Sequence, residues 1–217
     1  MDQIDATWWP VALAVALAFV PQAWGLTRHV VTLVHEAGHA IVAVATGRRL
    51  DGIRLHSDTS GLTFSTGRPT GPGMIATAAA GYVTPSILGL GTLALVEHDR
   101  TVWALWLGIG VLAAMLVFIR NWFGLLVVAI AGAAVGLLTY RADGAVQDFA
   151  VLTFSWFLLV AGPRTALDLW GHRRRVRSRT TDADILARLT HVPAPLWNAL
   201  FVALTVGAVV VAVRLVG

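Results

Sequence analysis

Apolar runs without a single Asp, Glu or Arg recur along this chain near the length needed to cross a bilayer, and that recurrence restricts its fold more than any other feature. The runs are Ala6 to Thr27, Pro69 to Val96, Thr101 to Ile119, Asn121 to Tyr140, Phe149 to Pro163 and Leu189 to Val213. A spanning helix takes about 20 residues. Lipid offers no water to unpaired backbone groups, so runs of this kind fold as helices. A seventh, His29 to Gly47, is interrupted only by Glu36 and histidines. With 57% hydrophobic and 13% charged residues and a mean hydropathy of +0.73, the chain is expected to be an integral membrane protein. The expected fold is all-α and polytopic, about seven transmembrane helices in one domain over residues 1–217, with no repeat and no linker between soluble parts.

Arginine placement orients these spans. All sixteen basic residues are Arg. Arg48, Arg49, Arg54, Arg68, Arg120, Arg173, Arg174, Arg175, Arg177, Arg179 and Arg188 fall on one side, and only Arg28, Arg100, Arg141 and Arg214 on the other. The positive-inside rule then puts the first group, and the N-terminus, in the cytoplasm. Asp2 and Asp5 replace the basic start of a cleavable signal, so Trp8 to Trp24 reads as a retained span. The same asymmetry accounts for the net charge of +4, and nucleic-acid binding is not expected. The absence of Lys with a bias to Ala, Val, Leu and Gly suggests a GC-rich bacterial genome and a bacterial cell membrane.

Between Arg48 and Gly73 the pattern changes. Leu50, Ile53, Leu55, Leu62 and Phe64 alternate with polar residues around the turn cluster Ser57 to Gly61, which reads as a short cytoplasmic β-hairpin after the second span. A free ribbon edge there would accept an extended segment by strand addition.

The chemistry sits in the second span, at His35-Glu36-Ala37-Gly38-His39. At 3.6 residues per turn the two histidines project from one helix face, one turn apart, and both imidazoles can reach a single metal ion. Glu36 lies about 100° around the helix, beside them, free to act as a base on water, the division of labour in H-E-x-x-H hydrolases. Ionisable groups buried in lipid are costly and mark function. With no cysteine, the metal must be held by N and O ligands, and zinc is the expected ion.

A catalytic zinc keeps three protein ligands and an open position. The extended pattern H-E-x-x-H-x-x-G-x-x-H fails, because Val42 and Ala45 stand where Gly and His are needed. Depth favours Asp168, near the end of the sixth span, with Gly162-Pro163 able to bend it inward. Its competing partner is Arg164, four residues earlier. Asp182, after the Arg-rich loop, is the alternative. His29, His56, His98, His172 and His191 lack partners at ligand spacing. In the third span, Gly81, Gly89 and Gly91 read as packing positions and Pro85 as a kink that frees a backbone carbonyl; Gly132 to Gly136 is another small-residue face.

These residues resemble the site-2 protease family of intramembrane zinc metallopeptidases, in particular a small multi-span branch of actinobacteria and fungi. The likeness rests on the motif at 35–39 with Ala40 and Thr46-Gly47, on Gly52-Ile53-Arg54-Leu55 to Gly61-Leu62-Thr63, and on Ala80-Gly81-Tyr82. Arg120-Asn121-Trp122-Phe123-Gly124, Thr181-Asp182-Ala183-Asp184, Leu186-Ala187 and Pro193 to Trp197 extend it over most of the chain. It implies a zinc endopeptidase that cuts membrane-spanning or membrane-adjacent proteins, with His35 and His39 as ligands and Glu36 as base. In better-studied relatives the third ligand is an Asp followed by Gly, whereas here Leu169 follows Asp168 and Ala183 follows Asp182. Asp168 is carried over by position alone. The expected partners are a membrane-protein substrate and the bilayer. A non-catalytic scaffold retaining a metal site, or a metal-binding transporter, are the competing classes.

Overall fold

The computed structural model describes residues 2–175 and 180–217, with side chains from 8 to 171 and from 180 onward. The Arg173 to Arg179 run therefore lies outside the described side chains. The elements are α1 (Asp2–Phe19), α2 (Pro21–Ala45), β1 (Arg49–Leu55), β2 (Gly61–Thr66), α3 (Pro72–Glu97), α4 (Thr101–Phe118), α5 (Trp122–Arg141), α6 (Gly144–Arg175), α7 (Asp182–Thr190) and α8 (Ala194–Val216).

Five of the described helices, α3, α4, α5, α6 and α8, are long and apolar enough to cross a membrane, and six spans result if the bent pair α1 and α2 counts as one. The expected seven counted that pair twice. Trp8–Phe19 and Pro21–Ala45 meet at 95°, so the run from Ala6 to Thr27 is not one straight span. Pro21 explains the break. It has no N–H to continue α1, and it drives the preceding Val20 into an extended conformation (φ −73°, ψ 120°), leaving proline in the first turn of the next helix.

Between apolar helices in lipid, packing gains come from close approach. Glycines supply it on α3: a Cβ on Gly89 would lie 2.8 Å from the Ser155 carbonyl oxygen of α6, and one on Gly38 of α2 would overlap Thr84 of α3. Thr92 and Ser155 join α3 to α6 by a buried hydroxyl pair 2.7 Å apart. Phe157, Leu158, Leu159 and Ala161 of α6 pack with Ala14 and Ala18 of α1, Leu93 of α3 and Ala208 and Ala212 of α8. Gly91, Gly132 and Gly136 have nothing within 4 Å of a built Cβ, so no close helix contact uses them.

The ribbon forms as a two-stranded antiparallel sheet, Ile53 opposite Thr63 and Leu55 opposite Gly61. A register shift between Leu50 and Gly52 absorbs the three-residue step from Leu50 to Ile53, which plain alternation does not allow. The ribbon does not project from the end of α2 but folds back along it. The Thr32 hydroxyl donates to the Thr59 carbonyl at 2.8 Å, and Thr32 lies about 20 Å up the helix from Ala45 at 1.5 Å per residue. Ile53 and Leu55 are buried with Leu33, Ala37 and Ala40 of α2 on one side and Met115 of α4, Ile119 just past its end and Val128 of α5 on the other. The outer edge of β1 is closed by the α4–α5 junction: the Arg120 amide donates to the Ile53 carbonyl at 2.9 Å, while Asn121 accepts from the Leu55 amide at 3.1 Å and donates to its carbonyl at 2.6 Å. At the far end of the ribbon the Thr66 hydroxyl and the Arg49 guanidinium bond Asp51 and hold its carboxyl below the usual carboxylate range.

Candidate metal centre

α2 and α3 cross at the motif. His35 and His39 turn toward α3 at Gly81, where a Cβ would sit 2.5 Å from both Nε2 atoms, so this helix crossing and this imidazole pair need glycine there. Pro85, one turn on, lacks an N–H, leaving the Gly81 carbonyl without its α-helical donor beside the site. His39 Nδ1 lies 2.7 Å from the Thr77 carbonyl oxygen. A carbonyl only accepts, so Nδ1 carries the proton and Nε2 turns its lone pair inward, the outer-shell arrangement that orients metal-ligating histidines.

The third carboxylate at this point is Asp182. Its Oδ2 lies 3.2 Å from His35 Nε2 and 3.3 Å from His39 Nε2, and the two Nε2 atoms are 3.0 Å apart. Ligand atoms bound to one ion at about 2.05 Å in a tetrahedron stand about 3.3 Å from one another. The three edges match that triangle. Two imidazole lone pairs and a carboxylate oxygen converging so closely repel one another unless a cation lies among them, and a set of two nitrogens and one oxygen with a side open suits zinc. Among the described residues, His35, His39 and Asp182 are the His, Asp and Glu group able to share an ion.

Asp168 is outside that group. Its carboxylate lies 3.9 Å from Arg164 of the preceding turn, and Arg164 itself stacks on Trp24, 4.1 Å from the ring centre. Asp168 nevertheless lies at the depth of the histidines. Ala166 and Leu169 pack with Ala78 of α3 and with Ala183 and Leu186 of α7, and Asp168 lines the same cavity as the histidines. After α6 the chain returns to that level, and α7 begins there. The Thr181 hydroxyl and the Asp184 carboxylate form a reciprocal capping box that starts α7 at Asp182 and leaves the Asp182 side chain on the first turn, facing the imidazoles. That Thr-x-x-Asp spacing is the sequence signal that marks Asp182 as the head of a helix instead of a loop residue.

Glu36 is 4% exposed and meets the ribbon. The Thr63 hydroxyl donates to its Oε2 at 2.6 Å, and a Cβ on Gly61 would lie 2.5 Å from its Oε1. Sequence reasoning did not reach Thr63, because no local spacing couples a strand residue to a helix 27 positions away. Around the group opens a cavity of about 460 Å³ whose walls include Arg28, Tyr82, Thr165 and Ile185.

Helices apolar enough to cross a membrane thus gather round a His, His, Asp group able to share a metal ion, with a glutamate next to it. A family model described as Peptidase M50B-like matches residues 8–212. The chain belongs to this family, which is part of the site-2 protease family, whose members are generally zinc metallopeptidases. Comparison with curated proteins and with solved structures found no match to the chain.

Proposed function

We propose that this protein is an intramembrane zinc endopeptidase that hydrolyses peptide bonds of membrane-spanning or membrane-adjacent proteins. The observation that carries this reading is the triangle of His35, His39 and Asp182 with Glu36 one residue away in a shared cavity. In this reading His35 Nε2, His39 Nε2 and an Asp182 oxygen hold the zinc, with Asp182 in the place that sequence position alone gave to Asp168. A zinc ion held there would supply Lewis acidity, lowering the pKa of a water beside it and polarising the scissile carbonyl.

The chain's own residues do the rest. Glu36 takes the proton from water as the water oxygen attacks the carbonyl carbon, then passes it to the departing amine nitrogen. Thr63 holds Oε2 of that carboxylate, fixing which oxygen is free to move the proton. A helical substrate hides its carbonyls in hydrogen bonds, so it must unwind to be cut. Strand β1 is closed on its outer side by Arg120 and Asn121, which leaves β2, the strand that carries Thr63, with the edge on which an unwound segment would add.

The ribbon side is proposed as cytoplasmic: Arg48 bonds Ser65 and the Arg68 carbonyl, and Arg120 bonds the Asp51 carbonyl, so several arginines of the basic side gather there. The bilayer and a membrane-protein substrate are the proposed partners. Glu36→Gln should keep bound zinc and lose cleavage by at least about a hundredfold, as loss of a general base does. Metal analysis and a cleavage assay on the purified protein read both, and a variant that cleaves at the original rate would overturn the reading.

A further inference from the structure

Tyr82 is the group in this cavity whose chemistry the reading above leaves unused. Its ring is fixed on two sides: it stacks on Phe201 of α8, ring centres 5.1 Å apart and 21° from parallel, and meets the His35 ring edge-on at 4.8 Å and 89°. Phenylalanine would make both contacts equally well. The hydroxyl adds nothing to them, and among the described residues it makes no hydrogen bond, which leaves its donor free for a molecule entering the cavity. It is not sealed in the protein, as both polar atoms of Asn198 are, but belongs to a side chain lining the cavity of the histidines.

Most of the neighbouring hydroxyls are committed elsewhere. Thr32 donates to the Thr59 carbonyl, Thr63 to Glu36, Thr77 to the Gly73 carbonyl and Thr165 to the carbonyls of Ala161 and Gly162. Arg28 lines the cavity too, two turns before His35 on α2, but unlike Tyr82 it has no ring contact with a candidate ligand. The Thr59 hydroxyl is also without a partner, but it is sealed in the protein, whereas Tyr82 touches the His35 imidazole; Tyr82 is the uncommitted donor in contact with a candidate ligand.

We propose that Tyr82 is a catalytic residue whose phenol O–H donates a hydrogen bond to the substrate carbonyl oxygen as that oxygen gains negative charge. This rests on the peptidase reading. The water oxygen forms a bond to the carbonyl carbon while Glu36 takes the water proton, and the π pair of the carbonyl moves onto its oxygen, where the Tyr82 hydroxyl meets it without giving up its proton. When the pair returns, the C–N bond breaks and the amine leaves with the proton from Glu36. Preorganised donors of this kind act on the transition state more than on the bound substrate.

The test compares wild type, Tyr82→Phe and Glu36→Gln, purified in detergent and loaded with zinc, by metal content, melting temperature, turnover of a fluorogenic peptide and affinity for a phosphinic peptide, a tetrahedral mimic. Tyr82→Phe should keep the zinc and the melting temperature, lose about 100- to 1,000-fold in kcat with little change in KM, and bind the phosphinic peptide at least about tenfold more weakly. Unchanged turnover or unchanged affinity for the mimic in Tyr82→Phe overturns the proposal, and so does loss of zinc or of melting temperature, which would make Tyr82 structural. If Glu36→Gln is inactive while Tyr82→Phe matches the wild type, the peptidase reading stands and Tyr82 falls. If the wild type does not turn over, the peptidase reading fails, and Tyr82 is judged by the mimic alone, falling if the wild type does not bind it.

Discussion

Substituting Gly81 by alanine separates the stability of the helix from the integrity of the metal centre. Gly81 lies inside α3 with no unusual backbone angle, so alanine there gains about 1 kcal/mol of helix propensity and imposes no strain on the helix itself. Its Cβ, however, would sit 2.5 Å from Nε2 of both His35 and His39, where ordinary carbon contacts begin near 3.4 Å. One or both imidazoles must retreat by about 1 Å. Metal sites tolerate departures of about 0.2 Å in ligand distance, so at least one nitrogen leaves the coordination sphere. Altering an outer-shell partner of a metal ligand costs about 10- to 100-fold in affinity; displacing the ligand should cost at least the upper figure, or about 2.8 kcal/mol at 1.4 kcal/mol per tenfold. Gly81→Ala should therefore melt at or above the wild-type temperature without metal, yet bind zinc at least about a hundredfold more weakly in a chelator competition. A Gly81→Ala protein with wild-type zinc affinity would refute the placement of both Nε2 atoms against α3.

Asp182→Ala should lower zinc affinity by at least about a hundredfold while Asp168→Ala leaves it within about threefold, read by the same competition; the reverse ranking would return the third position to α6. Thr63→Val should cost about 1.5 to 3 kcal/mol of stability in chemical unfolding, since it strips a hydrogen bond from a buried carboxylate, and most of that cost should vanish in a Glu36→Ala background. A coupling below about 0.5 kcal/mol in that double-mutant cycle would show the ribbon and Glu36 to be independent. Asn121→Ala removes both bonds to Leu55 and should speed hydrogen exchange at the Leu55 amide at least about tenfold, with helix amides of α2 unchanged; equal protection would mean that the α4–α5 junction does not close the β1 edge.

What could be read from the chain alone divides along contact range. The apolar runs, the ribbon and the helical motif at 35–39 repeat with local periods, so they were legible. The fold of α1 against α2 was not read, because hydropathy from Ala6 to Thr27 is continuous and only Val20-Pro21 carries the break. The third carboxylate shows the same limit more sharply. Depth along a helix is a one-dimensional quantity, and by depth Asp168 and the histidines do coincide, since Leu169 and Ala78 share one cluster. Depth says nothing of azimuth. Asp168 spends its charge on Arg164, one turn back on its own helix, and the level it occupies is reached a second time by α7. A carboxylate in the first turn of a short helix has an advantage over one inside a long span, because the helix can start where the site needs it. The Thr181 and Asp184 capping box sets that start, and shifting it by one residue would turn Asp182 about 100° away from the imidazoles. The carboxylate and its cap are thus one device. Loss of the Thr181 and Asp184 pair is expected to loosen Asp182 from the histidines before it unfolds α7.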